Sequence, residues 1–101
     1  MAAPPDDLAI TLEQTASGGR WVARTAEGPE SEMTFRFRAD GALIIDHTGV
    51  PPELEGRGIA GALMGHAIDF ARAQGLRIEP RCSYVVAAFQ RHPDWADVLA
   101  R

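Results

Sequence analysis

Hydrophobic and polar positions alternate along the first half of the chain, then change period. Leu8, Ile10 and Leu12 alternate with Ala9, Thr11 and Glu13, the pattern of a half-buried strand. Ser17-Gly18-Gly19 reads as a turn, with a return strand over 21–24. Glu27-Gly28-Pro29-Glu30 reads as a second turn. Met33, Phe35 and Phe37 then alternate with Thr34, Arg36 and Arg38, the clearest strand signal in the chain. Asp40-Gly41 is a hairpin dipeptide leading into a fourth strand over 42–50. Pro51-Pro52 ends that strand, because proline supplies no amide to a ladder.

Beyond the prolines the period becomes helical. At 100° per residue, Ile59, Ala60, Leu63, Met64, Ala67, Ile68, Phe70 and Ala71 share one half of a wheel. Gly61, Gly65, Asp69 and Arg72 share the other half, with His66 at its edge. A stripe this wide suits a helix lying across a sheet. Gly75 is placed to end the helix, and 76–80 reads as a short strand closed by Pro80. Ser83 is a candidate N-cap for a second helix to Arg91, limited by Pro93. The strand–helix–strand segment predicts a right-handed crossover and parallel pairing. The predicted fold class is α/β (α+β): a compact, mixed, mainly antiparallel sheet with two helices. With no internal repeat and no long linker, residues 1–101 are expected to form one domain, 1–6 being a flexible tail.

Composition narrows the function. A formal net charge of −4 argues against general nucleic-acid binding. All ten basic residues are arginine, which suits phosphate contacts and is also what genomic composition could impose. Cys82 is the only cysteine, so no intramolecular disulfide is possible. No apolar run approaches the roughly 20 residues that span a bilayer. The acidic start lacks the pattern of a signal peptide. These features predict a cytoplasmic protein without membrane partners. His47, Cys82 and His92 show no ligand-pair spacing, so no metal site is expected.

Gly56-Arg57-Gly58-Ile59-Ala60-Gly61 opens the first helix. Amides in a helix's first turn lack internal partners, and its dipole favours an anion. Glycines let a phosphate approach that backbone, so the turn suits a pyrophosphate, and Arg57 could add a charged contact. Tight packing of a glycine-rich helix start is the plainer reading. The residues also match the dinucleotide fingerprint G-x-G-x-x-G. That fingerprint calls for glycines directly after a strand, in a repeated strand–helix architecture. Here Pro51-Pro52-Glu53-Leu54-Glu55 intervenes, and there is room for one crossover.

Three segments in order carry a more specific signal: His47-Thr48-Gly49-Val50-Pro51-Pro52, Leu54-Glu55-Gly56-Arg57-Gly58-Ile59-Ala60, and Cys82 through Arg91-His92-Pro93. Together they resemble the short stand-alone branch of the GCN5-related N-acetyltransferase (GNAT) superfamily, over roughly 42–94. The superfamily's acyl-CoA loop reads Gln/Arg-x-x-Gly-x-Gly/Ala. Glu55, Gly58 and Ala60 hold the three defined places, Glu55 departing from the usual Gln/Arg. The resemblance implies acetyl-CoA in a splay between the strand ending at Val50 and the strand 76–80. Pantetheine would meet the backbone at Thr48, Gly49 and Val50. Pyrophosphate would meet amides of Gly56, Arg57, Gly58, Ile59, Ala60 and Gly61. It further implies acetyl transfer to an amine. Set against the longer domains of the superfamily, whose N-terminal helices help build the acceptor site, the resemblance leads to the expectation of an open acceptor side suited to a peptide or protein.

Acyl transfer needs a neutral amine, a polarised carbonyl and a proton for the thiolate. His47 is a candidate base, since imidazole titrates near neutrality. Strict alternation places it with Leu43 and Ile45, where a hydrogen-bonded core histidine is the alternative. Cys82 precedes a helix start and adjoins Arg81, which together favour a thiolate; a small buried residue is the alternative. Tyr84 could protonate a leaving thiolate or pack in the core. Relatives carry Tyr where this chain has Ala88, so a non-catalytic CoA-binding or partner-binding module is the competing function. His92 and Trp95 are expected to be structural.

Overall fold

The structure is a computed structural model, and it describes residues 4–26 and 28–100. Part of the predicted tail, 1–3, and Glu27 of the second turn lie outside the described residues. Five strands lie in sequence order in one sheet: β1 (Ala9–Gln14), β2 (Gly18–Arg24), β3 (Ser31–Phe37), β4 (Leu43–Gly49) and β5 (Ile78–Pro80). The first four pair antiparallel. A helix, α1 (Ile59–Gln74), crosses over to β5, which pairs parallel with β4. A second helix, α2 (Ser83–Arg91), and a 3₁₀ helix (Pro93–Val98) complete the chain. The mixed, mainly antiparallel sheet with two α-helices is the predicted fold class.

The core follows from the two periods. Trp21, Met33, Phe35, Leu43, Ile45 and Ile78 point from the sheet towards Leu63, Met64, Ala67 and Ile68 of α1. Val85, Ala88 and Phe89 of α2 join the same cluster. The Trp21 ring lies 4.7 Å from that of Phe35 and meets Phe70 edge-on at 5.7 Å. On the opposite face, Arg20 bridges Glu13, Glu30 and Glu32, with Arg24 joining Glu13 and Glu30.

Three local expectations are corrected. Gly18 and Gly19 are strand residues; the turn sits two residues earlier, over 15–17, held by the Thr15 amide donating to the Gly18 carbonyl at 2.7 Å. The N-cap of α2 is Cys82, in extended conformation, and Ser83 is the first helical residue. The 3₁₀ helix after Pro93 has no counterpart in the sequence pattern. Arg72 of α1 pins it by a two-pronged pair to Asp97, each contact 3.0 Å.

Most important for the site, β4 carries a bulge. Phe35 pairs with Ile45 and Thr34 with His47, so Asp46 has no partner of its own. The extra residue reverses the facing of the rest of the strand. His47 therefore turns to the solvent face and Thr48 to the helix face. The expectation that His47 shares a face with Leu43 and Ile45 fails for this reason.

Candidate functional site

The site begins where the sheet splits. β4 and β5 pair only over Leu43, Ile44 and Ile45, followed by one bond from the Arg81 amide to the Ile45 carbonyl at 2.9 Å. Past that point, Thr34, Met33 and Glu32 of β3 pair with His47, Thr48 and Gly49, while β5 has ended. Pro51 turns the chain into a 3₁₀ helix, Pro52–Leu54, anchored by buried Leu54. Gly56 and Gly58 then take left-handed φ values of 77° and 79°. An L side chain is strained there, which is why two glycines flank Arg57. Alternating backbone of this kind gathers N–H groups into a concavity suited to an anion.

Gly58 is the N-cap of α1 and has no side chain to accept from the helix. Its carbonyl accepts from Ala62 at 3.1 Å, so the intrahelical ladder begins there. The amides of Ile59, Ala60 and Gly61 precede the ladder and have no side-chain cap. All three residues line a cleft of about 900 Å³. Thr48, Val50, Leu54, Gly56 and Gly58 line it as well. Tyr84, Arg91, His92 and Trp95, from α2 and the segment after it, line the same cleft.

Of the expected cofactor residues, Thr48, Val50, Gly56, Gly58, Ile59, Ala60 and Gly61 line this cleft. Gly49 instead lines a smaller hollow of about 430 Å³ with Glu30, Glu32, Val50 and Pro51. Arg57 is half-buried and does not line the cleft. Among the catalytic candidates, Tyr84 lines the cleft. Cys82 touches Thr48, its Sγ 3.5 Å from Thr48 Oγ1. The positive charge expected to act on Cys82 is engaged elsewhere, because Arg81 pairs with Glu79. His47 stands outside the cleft, its Nε2 3.6 Å from Glu32 Oε2.

Burial pushes the Tyr84 phenol above its ordinary range, with the nearby Arg91 charge acting against that shift. The hydroxyl is therefore protonated at neutral pH and available as a donor inside the cleft. Ala88 is buried in the core, so a tyrosine at that position would displace packing atoms. The sequence pattern did not reveal the cleft role of Arg91, His92 and Trp95. One signal was present: Tyr84 and Arg91 are two helical turns apart and so share a face.

Glu55, also in the lining, puts a carboxylate beside a turn otherwise suited to an anion. Removing that charge should help. On the acyl-CoA reading that the resemblance implies, Glu55→Gln is expected to tighten CoA binding about threefold at low salt, with the gain shrinking as salt rises. Titration calorimetry at two ionic strengths checks this; equal affinities at low salt would contradict it.

The glycines follow a 3₁₀ turn rather than a strand, and one crossover feeds a mainly antiparallel sheet. Neither feature suits a dinucleotide fold. A profile of the GCN5-related N-acetyl-transferase family matches residues 20–98. Among solved structures, an NMR solution structure of a GCN5-like candidate N-acetyltransferase from Staphylococcus aureus superposes with a TM-score of 0.70. It is 28% identical, and the match covers 95% of this chain and 91% of that one. No curated protein matches the chain significantly in sequence.

Proposed function

The chain belongs to the GCN5-related N-acetyltransferase family, and from that premise we propose that it binds acetyl-CoA in the cleft and transfers the acetyl group to an amine of a peptide or protein. Residues 1–101 are read as one acyl-CoA-binding domain. The observation that carries this reading is the uncapped first turn of α1, whose residues line the cleft after two left-handed glycines. That arrangement fits a pyrophosphate, because fixed peptide dipoles meet the charge with no side chain to order.

Acetyl-CoA supplies the activated acyl group. The chain's own contributions are positional and electrostatic. Exposed backbone at Thr48 and Val50, where β4 has parted from β5, would bond the pantetheine arm. Tyr84 holds a proton within the cleft for the departing sulfur. Cys82 and Thr48 form one polar contact at the root of the split.

The position of His47 favours a second reading. Its ring is on the far side of β4, beside Gly49, so no imidazole at that position lines the cleft. A non-catalytic CoA-binding module would need no base. Turnover separates the two: wild-type protein is given acetyl-CoA with a panel of peptide and small amines, and free thiol is measured. Release of CoA that depends on an amine supports the enzyme. Tight CoA binding with no release across the panel would establish the module instead.

A further inference from the structure

Three residues lining the cleft at the end of α2 and just after it carry chemistry that an acyl thioester and a pyrophosphate leave unused. The rings of His92 and Trp95 stack at 3.9 Å with 13° between their planes. Phe89 meets the Trp95 ring edge-on at 5.7 Å, which fixes the stack against α2. Both stacked residues stay partly exposed and both line the cleft. Beside them lies Arg91, exposed at the end of α2.

Arg91 differs from six other arginines of the chain. Arg20, Arg24, Arg36, Arg38, Arg72 and Arg81 are each held by a carboxylate. Arg91 is in no ion pair among the described residues, and it faces a cleft. A guanidinium left free in this way matches a phosphate geometrically as well as electrically.

Position along the cleft orders these groups. Thr48 touches Cys82 at the start of α2, and the Gly61 position lies 3.9 Å from the Tyr84 hydroxyl when a Cβ is added there. Arg91 is two helical turns beyond Tyr84, about 10 Å along the axis. Gly61, in the uncapped turn, thus stands beside Tyr84, which lies between Cys82 and Arg91 along α2.

We propose that Arg91, His92 and Trp95 form a subsite for the nucleotide end of the coenzyme, the adenine continuing the His92–Trp95 stack and the ribose phosphate pairing with Arg91. The inference rests on the acyl-CoA reading above and adds to it a means of discriminating among acyl carriers. A carrier lacking the 3′-phosphate forfeits the guanidinium pair. One lacking adenine forfeits the stack, since bases gain affinity on aromatic faces.

Calorimetry on the full chain tests it with CoA, 3′-dephospho-CoA and 4′-phosphopantetheine. Wild-type protein should bind dephospho-CoA about tenfold more weakly than CoA, and phosphopantetheine more weakly again. Arg91→Gln should bring CoA and dephospho-CoA to the same affinity, and His92→Ala should weaken both nucleotides about fivefold. Trp95→Ala should cost about tenfold; because Trp95 also packs on Phe89, the ligand series carries the test if that variant unfolds. Equal affinity of the wild type for CoA and dephospho-CoA would overturn the subsite alone. So would an unchanged ratio between them in Arg91→Gln. Failure of all three compounds to bind would overturn the acyl-CoA reading and the subsite with it.

Discussion

Gly61→Val is expected to weaken CoA binding about a hundredfold while leaving the fold intact. Gly61 is the third residue of α1, and its amide belongs to the uncapped first turn. A Cβ built there meets only the Tyr84 hydroxyl, at 3.9 Å, so a side chain would fit and project into open cleft. The added methyls occupy space that a pyrophosphate needs in order to reach the amides. Losing two charge-assisted bonds of about 1.5 kcal/mol each corresponds to about a hundredfold in affinity. Gly61 is the better probe than Gly58 because Gly58 has φ 79°, where valine strains the backbone and confounds folding with binding. Calorimetry paired with circular dichroism measures both quantities. A folded Gly61→Val protein with wild-type CoA affinity would remove the pyrophosphate from this turn.

Gly18→Ala is expected to destabilise the protein by about 3 kcal/mol or more, the larger of two effects from one glycine pair. A Cβ on Gly18 would sit 2.3 Å from the Phe35 carbonyl oxygen and 2.7 Å from the Arg36 Cα. Both are backbone atoms of β3, a central strand whose partners on either side resist displacement. Overpacking of this kind typically costs about 1–3 kcal/mol, and more when only backbone can give way. A Cβ on Gly19 would approach the Glu13 carbonyl even closer, at 2.1 Å. Yet β1 is an edge strand and mostly exposed, so it can move away. Gly19→Ala should therefore cost less than Gly18→Ala despite the shorter contact. Urea unfolding of the two variants decides the order. Stabilities within about 1 kcal/mol of wild type for both would show that the sheet absorbs a methyl group at this corner.

Both predictions turn on glycines, and the chain shows how differently two glycine clusters can be read. In the cluster 56–61, the helical period beginning at Ile59 placed the glycines at a helix entrance, and α1 runs over the residues that the period marked. In Ser17-Gly18-Gly19 no such frame existed. A turn and a strand that cannot admit a Cβ call for the same residue, and only the carbonyls of β1 and β3 distinguish them.

Local patterns alone determined the strands apart from the start of β2 and the bulge in β4, α1 with its Gly75 cap, the single crossover and the glycine-rich entry to α1. These are legible because periodicity and backbone preference act between residues a few positions apart. Tertiary structure decided the rest. The bulge at Asp46 arises from register against β3, which alternation within β4 cannot reveal, and it alone moved His47 out of the cleft. Arg91, His92 and Trp95 read as a helix end and a packing residue until Arg72 and Asp97 fold the last turn back beside α1. Those outcomes depend on contacts between residues far apart in the chain, whose geometry no local pattern encodes.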